Sequence, residues 1–354
     1  MNKVDFIIVG QGIAGSCLAF ELIQRGKKVA VVDDDWRDAA CLVAAGVINP
    51  ITGKRLVKSW RSSLAHPYAK NFYSNLEKKL NAKFYHPRKI LQLCKSDEER
   101  ELWNQRLTEP DYSQYIDATF PCGKFSTLKD ERGSYEIAHS AWIETRPAMM
   151  AFRKFFLDNN CLSIEAFNYA DLKVSQNSIS YKNIYAEKII FCDGWRVLQN
   201  PYFSWLPYRP AKGEILTIKS FKQLPEHVIH KGNWIMKFGS DSFRIGSTWD
   251  RENLNSLPTP SAKNELLKAV PNIIKDFSDC EVIEHSAGVR PCTATTRPHL
   301  GAHPTFQRVL SFNGFGSKGY ALSPYFANHF ADYLFGGVLD SEADLKRHVK
   351  KFFK

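Results

Sequence analysis

The residues with the most specific spacing form a glycine turn near the N-terminus, Gly10-Gln11-Gly12-Ile13-Ala14-Gly15. In this pattern the first glycine allows a tight turn, the second lets the backbone approach a pyrophosphate, and the third allows close helix packing. Amide groups at the helix N-terminus face the anion, and an acid after the next strand accepts ribose hydroxyls. We therefore predict a dinucleotide site formed by Gly10, Gly12, Ile13, Ala14, Gly15 and Asp33.

The segments around this turn have the patterns that such a site requires. Residues 3–9 and 28–32 are apolar runs typical of buried strands, and residues 14–25 show the three- and four-residue apolar spacing of a helix. Strand, turn, helix and strand in this order make a βαβ unit. Asp34 and Asp35 follow Asp33 directly. We expect Asp34 to lie beside the cofactor. The alternative for Asp34 and Asp35 is that they are exposed acids of a turn.

Downstream the pattern changes to a mixture of helices and short strands. Helical periodicity covers residues 71–80, 97–107, 148–159 and 324–335, while β-like runs cover residues 88–93, 164–167, 172–174, 178–181, 188–192, 213–219, 233–237 and 243–246. Residues 108–135 are expected to form a loop. The predicted fold class is α/β, or α+β overall. A Rossmann-type domain with a parallel sheet comprises residues 1–60, 138–207 and 285–354, and a domain with an antiparallel sheet comprises residues 61–137 and 208–284.

Composition sets the broad class of the protein. The chain has 354 residues, of which 44% are hydrophobic, and this is ample for two lobes with buried cores. It has no apolar run of about 18 residues and no recognisable signal peptide, so we expect a cytoplasmic protein that does not enter a membrane. The eight cysteines are scattered without a CxxC pair. They predict neither a metal site nor a disulfide framework.

The formal charge of +11 is unevenly distributed along the chain. Two stretches contain no acid. One carries Lys54, Arg55, Lys58, Arg61 and Lys70, and the other carries Arg290, Arg297, Arg308 and Lys318. If both stretches line one cleft, its field attracts anions. The alternative is an ordinary basic surface, since runs of charge are usually solvated.

Six further segments resemble the D-amino-acid oxidase and glycine oxidase family of FAD enzymes, and the resemblance runs over nearly the whole chain. These segments are Ala44-Ala45-Gly46-Val47-Ile48-Asn49-Pro50, Ile143-Glu144-Thr145, Ile189-Ile190-Phe191-Cys192-Asp193-Gly194-Trp195, Arg209-Pro210-Ala211-Lys212-Gly213-Glu214, Ala287-Gly288-Val289-Arg290-Pro291 and Asn313-Gly314-Phe315-Gly316-Ser317-Lys318-Gly319. Within the family, the first and last segments look most like the FAD oxidase half of the bifunctional enzyme that completes a modified wobble uridine in tRNA.

The resemblance implies that FAD is the dinucleotide. It adds Ala45, Gly46, Val47, Asn49, Gly194, Trp195, Gly314, Gly316, Ser317, Lys318 and Gly319 to the expected cofactor-binding residues. The sequence departs from the family at Thr145, Asp193, Thr295 and Phe315, where proline, alanine, aspartate and histidine are usual. Some relatives tether the flavin through a cysteine, but the offset of Cys292 from Arg290 does not match theirs. We therefore expect FAD to be bound non-covalently.

The two expected catalytic residues are Arg290 and Lys318. The resemblance places the arginine against the substrate, and a planar guanidinium can hold a carboxylate through two hydrogen bonds. Its alternative is a buried arginine paired with an internal acid. Reduction of the flavin leaves negative charge on the ring, which the amides after Gly316, the following helix and Lys318 could stabilise. The alternative for Lys318 is a solvated surface lysine.

These observations lead to a first hypothesis for function, an FAD-dependent oxidase of a primary or secondary amino acid. Its small anionic substrate gives up hydride from the carbon that bears the amine. A closely related alternative is a tRNA-modifying oxidase that removes a carboxymethyl group from a wobble-uridine side chain, for which the basic stretches would bind RNA. A non-catalytic flavin-containing RNA-binding protein and a dehydrogenase that reduces another acceptor are the remaining alternatives. Oligomeric state is not determined by the sequence.

Overall fold

The computed structural model describes residues 2–37, 39–53, 55–277 and 281–353. Its helices are α1 (Ile13–Gln24), α2 (Ala40–Val43), α3 (Ser62–Leu80), α4 (Asp97–Thr108), α5 (Pro110–Ser113), α6 (Thr145–Asp158), α7 (Pro260–Ala269), α8 (Gly319–Leu334) and α9 (Val349–Phe352). Short 3-10 turns cover Tyr169–Asp171, Gly194–Gln199, Val270–Asn272, Gly316–Lys318 and Leu345–His348.

The described strands belong mostly to two large sheets. In chain order they are β1 (Asn2–Val9), β2 (Val29–Asp33), β3 (Val47–Ile48), β4 (Ile51–Thr52), β5 (Val57–Lys58), β6 (Tyr85–Pro87), β7 (Ile90–Leu93), β8 (Ile116–Phe120), β9 (Ser134–Ile137), β10 (Ala141–Ile143), β11 (Leu162–Ile164), β12 (Leu172–Val174), β13 (Ile179–Tyr181), β14 (Ile184–Phe191), β15 (Ala211–Lys219), β16 (Val228–Lys231), β17 (Asn233–Lys237), β18 (Ser242–Gly246), β19 (Glu281–Arg290), β20 (His299–Ala302) and β21 (Val309–Asn313).

The first large sheet is the Rossmann-type sheet. Its strands run in the order β11-β2-β1-β14-β13-β12, and β21 adds to it beside β14. Strand β1 pairs in parallel with both β2 and β14, and β14 pairs in parallel with β21. The carboxyl ends of these strands therefore meet at one edge of the sheet, where open parallel sheets bind ligands. The predicted parallel sheet is confirmed.

Four helices cover one face of this sheet. Helix α8 packs against α1 and α3, and α1 also packs against α6. Buried residues such as Leu18, Phe152 and Phe330 from three of these helices join one hydrophobic cluster with the strands. Burial of so many large side chains supplies the main driving force for holding the glycine turn in place.

The second large sheet is mostly antiparallel, in the order β19-β15-β18-β17-β16-β7-β9-β8, and β16 pairs with β7 in parallel. Leu216 and Ile245 from this sheet pack with Leu266 of α7 in a separate hydrophobic cluster. The second sheet that the sequence predicts is thus present. One predicted domain boundary, between residues 284 and 285, falls within β19. The division into domains remains a prediction.

Some element bounds differ from those predicted. Helix α3 begins at Ser62 and contains Pro67, whereas the predicted helix covered only residues 71–80. The helix includes the proline because Ala65 and Ala69 on either side are buried in the core, and this packing outweighs the local cost of a missing N–H. The predicted loop of residues 108–135 contains β8. No helix of the described residues has the length and apolar character that crossing a membrane requires.

Candidate active site

A cavity of about 750 Å³ opens at the carboxyl edge of the Rossmann-type sheet and extends to the second sheet. Of the residues predicted to bind FAD, fifteen line it: Gly10, Gly12, Ile13, Ala14, Asp33, Asp34, Ala45, Gly46, Val47, Asn49, Gly194, Trp195, Gly316, Ser317 and Gly319. Arg290 lines it as well. Gly15, Gly314 and Lys318 do not. The fold therefore gathers most of the predicted site residues, from distant parts of the chain, around one space.

The glycine turn fits a dinucleotide by its shape. A Cβ atom added to Gly10, whose φ is +97°, would lie 2.6 Å from the carbonyl oxygen of Cys192. One added to Gly15 would lie 1.9 Å from the Gly10 carbonyl oxygen, so Gly15 acts in packing and not in the cavity wall. A Cβ on Gly12, in contrast, would meet no protein atom within 4 Å. Gly12 caps α1, and the first turn of this fully described helix has no acidic side chain to occupy its N–H groups. An anion fits there.

Asp33 ends β2 with its carboxylate held by two backbone groups. The N–H of Gln11 donates to Oδ2 and the N–H of Trp36 donates to Oδ1, each over 2.8 Å. Burial raises the pKa of Asp33, and the two N–H donors act in the opposite direction. The carboxylate is thus fixed at the cavity wall, where its remaining lone pairs could accept hydroxyl groups.

The neighbouring acids have arginine partners that the sequence did not reveal. Arg196 donates to Asp34 Oδ2 over 2.6 Å. Arg153, on α6, donates to Asp35 Oδ1 over 2.6 Å and lies 4.4 Å from the centre of the Trp36 ring. Asp34 lines the cavity and Asp35 does not. No motif contains either arginine, since each reaches its acid from a segment more than 100 residues away in sequence.

The loop after α2 depends on a small residue at Gly46. A Cβ there would lie 2.0 Å from the Ile143 carbonyl oxygen and 3.0 Å from Cγ2 of Thr145, and the φ of Gly46 is +73°. Thr145, which stands where the family usually has proline, donates its hydroxyl to the Leu42 carbonyl oxygen over 3.3 Å. The loop is therefore packed tightly against the start of α6, with Ala45 and Val47 facing the cavity.

The C-terminal glycine turn leads into the 16-residue helix α8. Gly314 packs inward, since its Cβ would lie 2.8 Å from Cγ2 of Thr293, and Gly316, Ser317 and Gly319 line the cavity. The N-terminus of α8 consequently lies at the cavity and presents the positive end of its dipole. Phe315, which replaces the family's usual histidine, is a buried residue of the cavity wall.

Lys318 is not among the residues that line the cavity. Burial and the nearby charge of Arg297 lower its pKa, and its own charge lowers the pKa of buried His66 on α3. Its neighbours Ser317 and Gly319 line the cavity wall, and the catalytic role of Lys318 remains a prediction.

Arg290, the last residue of β19, has no acidic partner among the described residues. It donates to Ser247 Oγ over 2.7 Å and to the carbonyl oxygen of Lys212 over 3.2 Å, and it lies 4.9 Å from the ring of Trp249. Burial lowers its pKa. The alternative of an arginine paired with an internal acid does not hold, and a partly desolvated cation faces the cavity. An anionic ligand group would neutralise it.

The space for the guanidinium depends on Gly213. A Cβ on this residue of β15 would lie 1.8 Å from Arg290 Nη2. Trp234, Trp249 and His230 also line this end of the cavity. His230 donates from Nδ1 to Gln92 Oε1 over 2.9 Å, and burial lowers its pKa to about 4, so its ring is neutral at pH 7.

The basic stretches do not converge on the cavity, because Arg290 is their only described member that lines it. Lys58 pairs with Asp111 at 3.0 Å, and Arg61 pairs with Asp340 at 2.8 Å. Arg297 lies 3.4 Å from Glu342. Acids from other parts of the chain thus neutralise much of the basic character that the sequence suggested. Lys54 lies outside the described residues.

Comparison with known proteins identifies the family to which the chain belongs. A family model described as FAD dependent oxidoreductase (DAO) matches residues 5–333, and the chain belongs to this family. It is therefore an FAD-dependent oxidoreductase.

Curated relatives and solved structures are similar to this chain over most of its length. The glycine oxidase of Pseudomonas putida is 24% identical over 95% of both chains. The tRNA 5-methylaminomethyl-2-thiouridine biosynthesis bifunctional protein MnmC of Marinobacter nauticus is 24% identical over 92% of this chain, which spans 54% of that protein. The solved glycine oxidase of Geobacillus kaustophilus has a TM-score of 0.81 at 18% identity and covers 98% of this chain and 100% of its own. These findings confirm the predicted family and fold class.

Proposed function

We propose that this protein oxidises the C–N bond of a primary or secondary amino acid whose carboxylate pairs with Arg290. The observation that carries the proposal is the charge of Arg290, which is partly buried at the cavity wall and, among the described residues, bonded only to neutral groups. A buried cation without a counter-ion is costly, and a substrate carboxylate supplies that counter-ion with matching planar geometry. The glycine oxidases among the relatives act on substrates of this class.

The residues around the cavity suggest how the reaction is assisted. Bound FAD supplies an acceptor for two electrons and a hydrogen from the carbon that bears the amine. Arg290 holds the carboxylate and so fixes which face of that carbon is presented. The amide of Ser317, with the N-terminus of α8, stabilises negative charge that develops beside it. The substrate leaves as an imine, which water converts to an oxo acid and either ammonia, from a primary amino acid, or an amine, from a secondary one.

The proposed cofactor-binding residues are the fifteen predicted residues that line the cavity, with Gly15 and Gly314 acting through packing. Binding is proposed to be non-covalent. Of the three nearby thiols, burial raises the pKa of Cys41 to about 12 and raises those of Cys192 and Cys292. A protonated thiol is a poor nucleophile, so none of these cysteines is prepared to attack the flavin.

The test is anaerobic bleaching of the flavin, screened against glycine, sarcosine, D-amino acids and proline. The carboxylate-anchored reaction is supported if an amino acid bleaches the flavin and its methyl ester does so far more slowly. Equal rates for acid and ester would contradict it. Reoxidation by oxygen within seconds would distinguish an oxidase from a dehydrogenase that uses another acceptor, and no bleaching by any amine would favour a non-catalytic protein.

A second candidate is oxidation of a carboxymethylamino group carried by tRNA. The observation that favours it is Trp249, whose side chain lines the cavity yet is 52% exposed, with Arg251 lying 5.8 Å from its ring. An exposed indole beside an arginine can stack on a base and attract phosphate. Bulk tRNA that bleaches the flavin, with a rate that falls steeply with salt, would establish this candidate. Bleaching by free amino acids alone would exclude it.

A further inference from the structure

Asp193 is an acid at the carboxyl edge of the Rossmann-type sheet that the reaction described above does not use. It follows β14 and lines the cavity. Its carboxylate accepts two amide hydrogen bonds, from Asn200 Nδ2 to Oδ2 and from Asn313 Nδ2 to Oδ1, each over 2.8 Å. Both oxygens are thus held in place, and Asp193 is not free to move towards a substrate.

These bonds join two turns that line the cavity. Asn313, at the end of β21, also donates to the Gly194 carbonyl oxygen over 2.9 Å and accepts the Gly314 N–H over 2.7 Å. Strands β14 and β21 are parallel neighbours, with Phe191 paired to Ser311. One carboxylate therefore ties the turn after β14 to the glycine turn before α8. Both turns belong to the proposed FAD site.

Asp193 is also close to the turn that fits the pyrophosphate. A Cβ on Gly10 would lie 3.4 Å from the Cα of Asp193. An ionised carboxylate and a pyrophosphate at one sheet edge repel each other, because little water is left between them once the cofactor fills the cavity. A protonated carboxyl group avoids this repulsion and gains a hydroxyl donor, while its other lone pairs still accept from the two amides.

We propose that Asp193 is a cofactor-positioning residue that takes up one proton when FAD binds. The proton comes from solvent, and no bond other than the new O–H bond is formed at Asp193. FAD therefore binds more tightly in acid than in alkali, and the two turns keep their connection in both states.

The surroundings of Asp193 agree with such a proton. Burial raises the pKa of Asp193 to about 6, although the amides of Asn200 and Asn313 and the charge of Arg196 oppose the rise. The other ionisable groups that face it are Tyr169, Tyr208 and Cys192, and burial raises the pKa of each, so they stay neutral near pH 7. His230, elsewhere on the cavity wall, has a pKa of about 4 and does not titrate between pH 5.5 and 8.

The experiment measures the dissociation constant of FAD for deflavinated protein from pH 5.5 to 8, together with proton uptake by calorimetry in buffers of different ionisation enthalpy. As the pH rises from the pKa of Asp193 in the free protein to its pKa in the complex, wild type should lose about tenfold in affinity for FAD per pH unit. Asp193→Asn, a mimic of the neutral acid, should remove most of this slope and bind more tightly than wild type at pH 8. Asp130→Asn, which changes a buried acid of the other domain, should keep the slope.

The outcomes separate a proton-binding role from a structural one. A merely structural Asp193 would give Asp193→Asn a uniform loss of affinity at every pH, and this result would overturn the proposal. Wild type that binds FAD without proton uptake would overturn it too, and this measurement needs no variant. If Asp193→Asn does not fold, Asp193→Ala, which restores the family's usual residue, serves in its place and should also abolish the slope.

Discussion

Arg290 is the residue on which the proposed substrate class depends, because the partners of its cation within the described part of the chain are all neutral. For Arg290→Ala, loss of the partner of a buried carboxylate costs about 3–4 kcal/mol, so kcat/KM should fall by about two to three orders of magnitude. Arg290→Lys should recover only part of this loss, since a point charge lacks the planar fork. The measurement is the rate of flavin bleaching with the best substrate.

Two controls make this result interpretable. Arg251→Ala removes an arginine that contacts the same Trp249 from the surface and should leave kcat/KM for a free amino acid nearly unchanged. FAD content should be the same in all variants. If Arg290→Ala has the kinetics of wild type, Arg290 is structural and the carboxylate model is wrong.

A substitution at Asp33 tests the cofactor site at the level of a single residue. Asp33→Ala should weaken FAD binding by about 1.5–3 kcal/mol, the contribution of a hydrogen bond to a charged group. It also leaves the N–H groups of Gln11 and Trp36 without their acceptor, which loosens the turn. Titration of deflavinated protein with FAD provides the measurement. Asp35→Ala, which breaks only the contact with Arg153 outside the cavity, should have a much smaller effect. Similar losses in both variants would argue against a ribose role for Asp33.

Strand β15 is the element that holds the substrate end of the cavity together. Its alternate residues face opposite ways, so Gly213 faces Arg290 while Lys212 and Glu214 are fully buried behind it. Lys212 Nζ lies 3.4 Å from Glu214 Oε1 and donates to Asn255 Oδ1 over 3.0 Å. This pair fastens the segment after β18, which carries Ser247 and Trp249, to the sheet.

Lys212→Met should therefore destabilise the protein strongly. Removal of one partner from a buried ion pair costs about 3–5 kcal/mol, because the remaining charge of Glu214 stays desolvated. The free energy of unfolding in urea, measured at equal FAD saturation, checks this value. The control on the same strand is Lys219→Met, whose partly exposed side chain lies 3.7 Å from Glu281 and contributes at most about 1 kcal/mol. Equal stabilities of the two variants would show that the buried pair does not hold this segment.

At the scale of the whole molecule, the flavin should be retained by burial and hydrogen bonds alone. The purified protein should be yellow, and acid denaturation should release intact FAD into the supernatant, since the thiols near the cavity are held protonated. Absorbance of the supernatant and of the pellet provides the measurement. Cys292→Ser serves as the control and should release the same amount. Flavin that remains in the wild-type pellet and leaves it in Cys292→Ser would establish a covalent link.

The sequence by itself determined the features that depend on neighbours along the chain. The βαβ unit was predicted from the spacing of Gly10, Gly12 and Gly15, from the apolar runs beside them and from Asp33 at the end of β2. Local patterns were sufficient because these features are close together in the sequence. The family resemblance added FAD and Arg290. Helix α3 was only partly predicted, since the packing of its first turns outweighs the local effect of Pro67.

Only the tertiary structure decided which side chains meet across long distances in sequence. Asn313 reaches Asp193 from 120 residues away, and Arg153 reaches Asp35 from 118 residues away. Local patterns hold no information about such contacts, which depend on strand order and register. For the same reason the sequence could not show that Ser317 and Gly319 line the cavity while Lys318 between them does not. Nor could it show that the described groups bonded to Arg290 are neutral, because both facts depend on how α8, β15 and β19 pack in three dimensions.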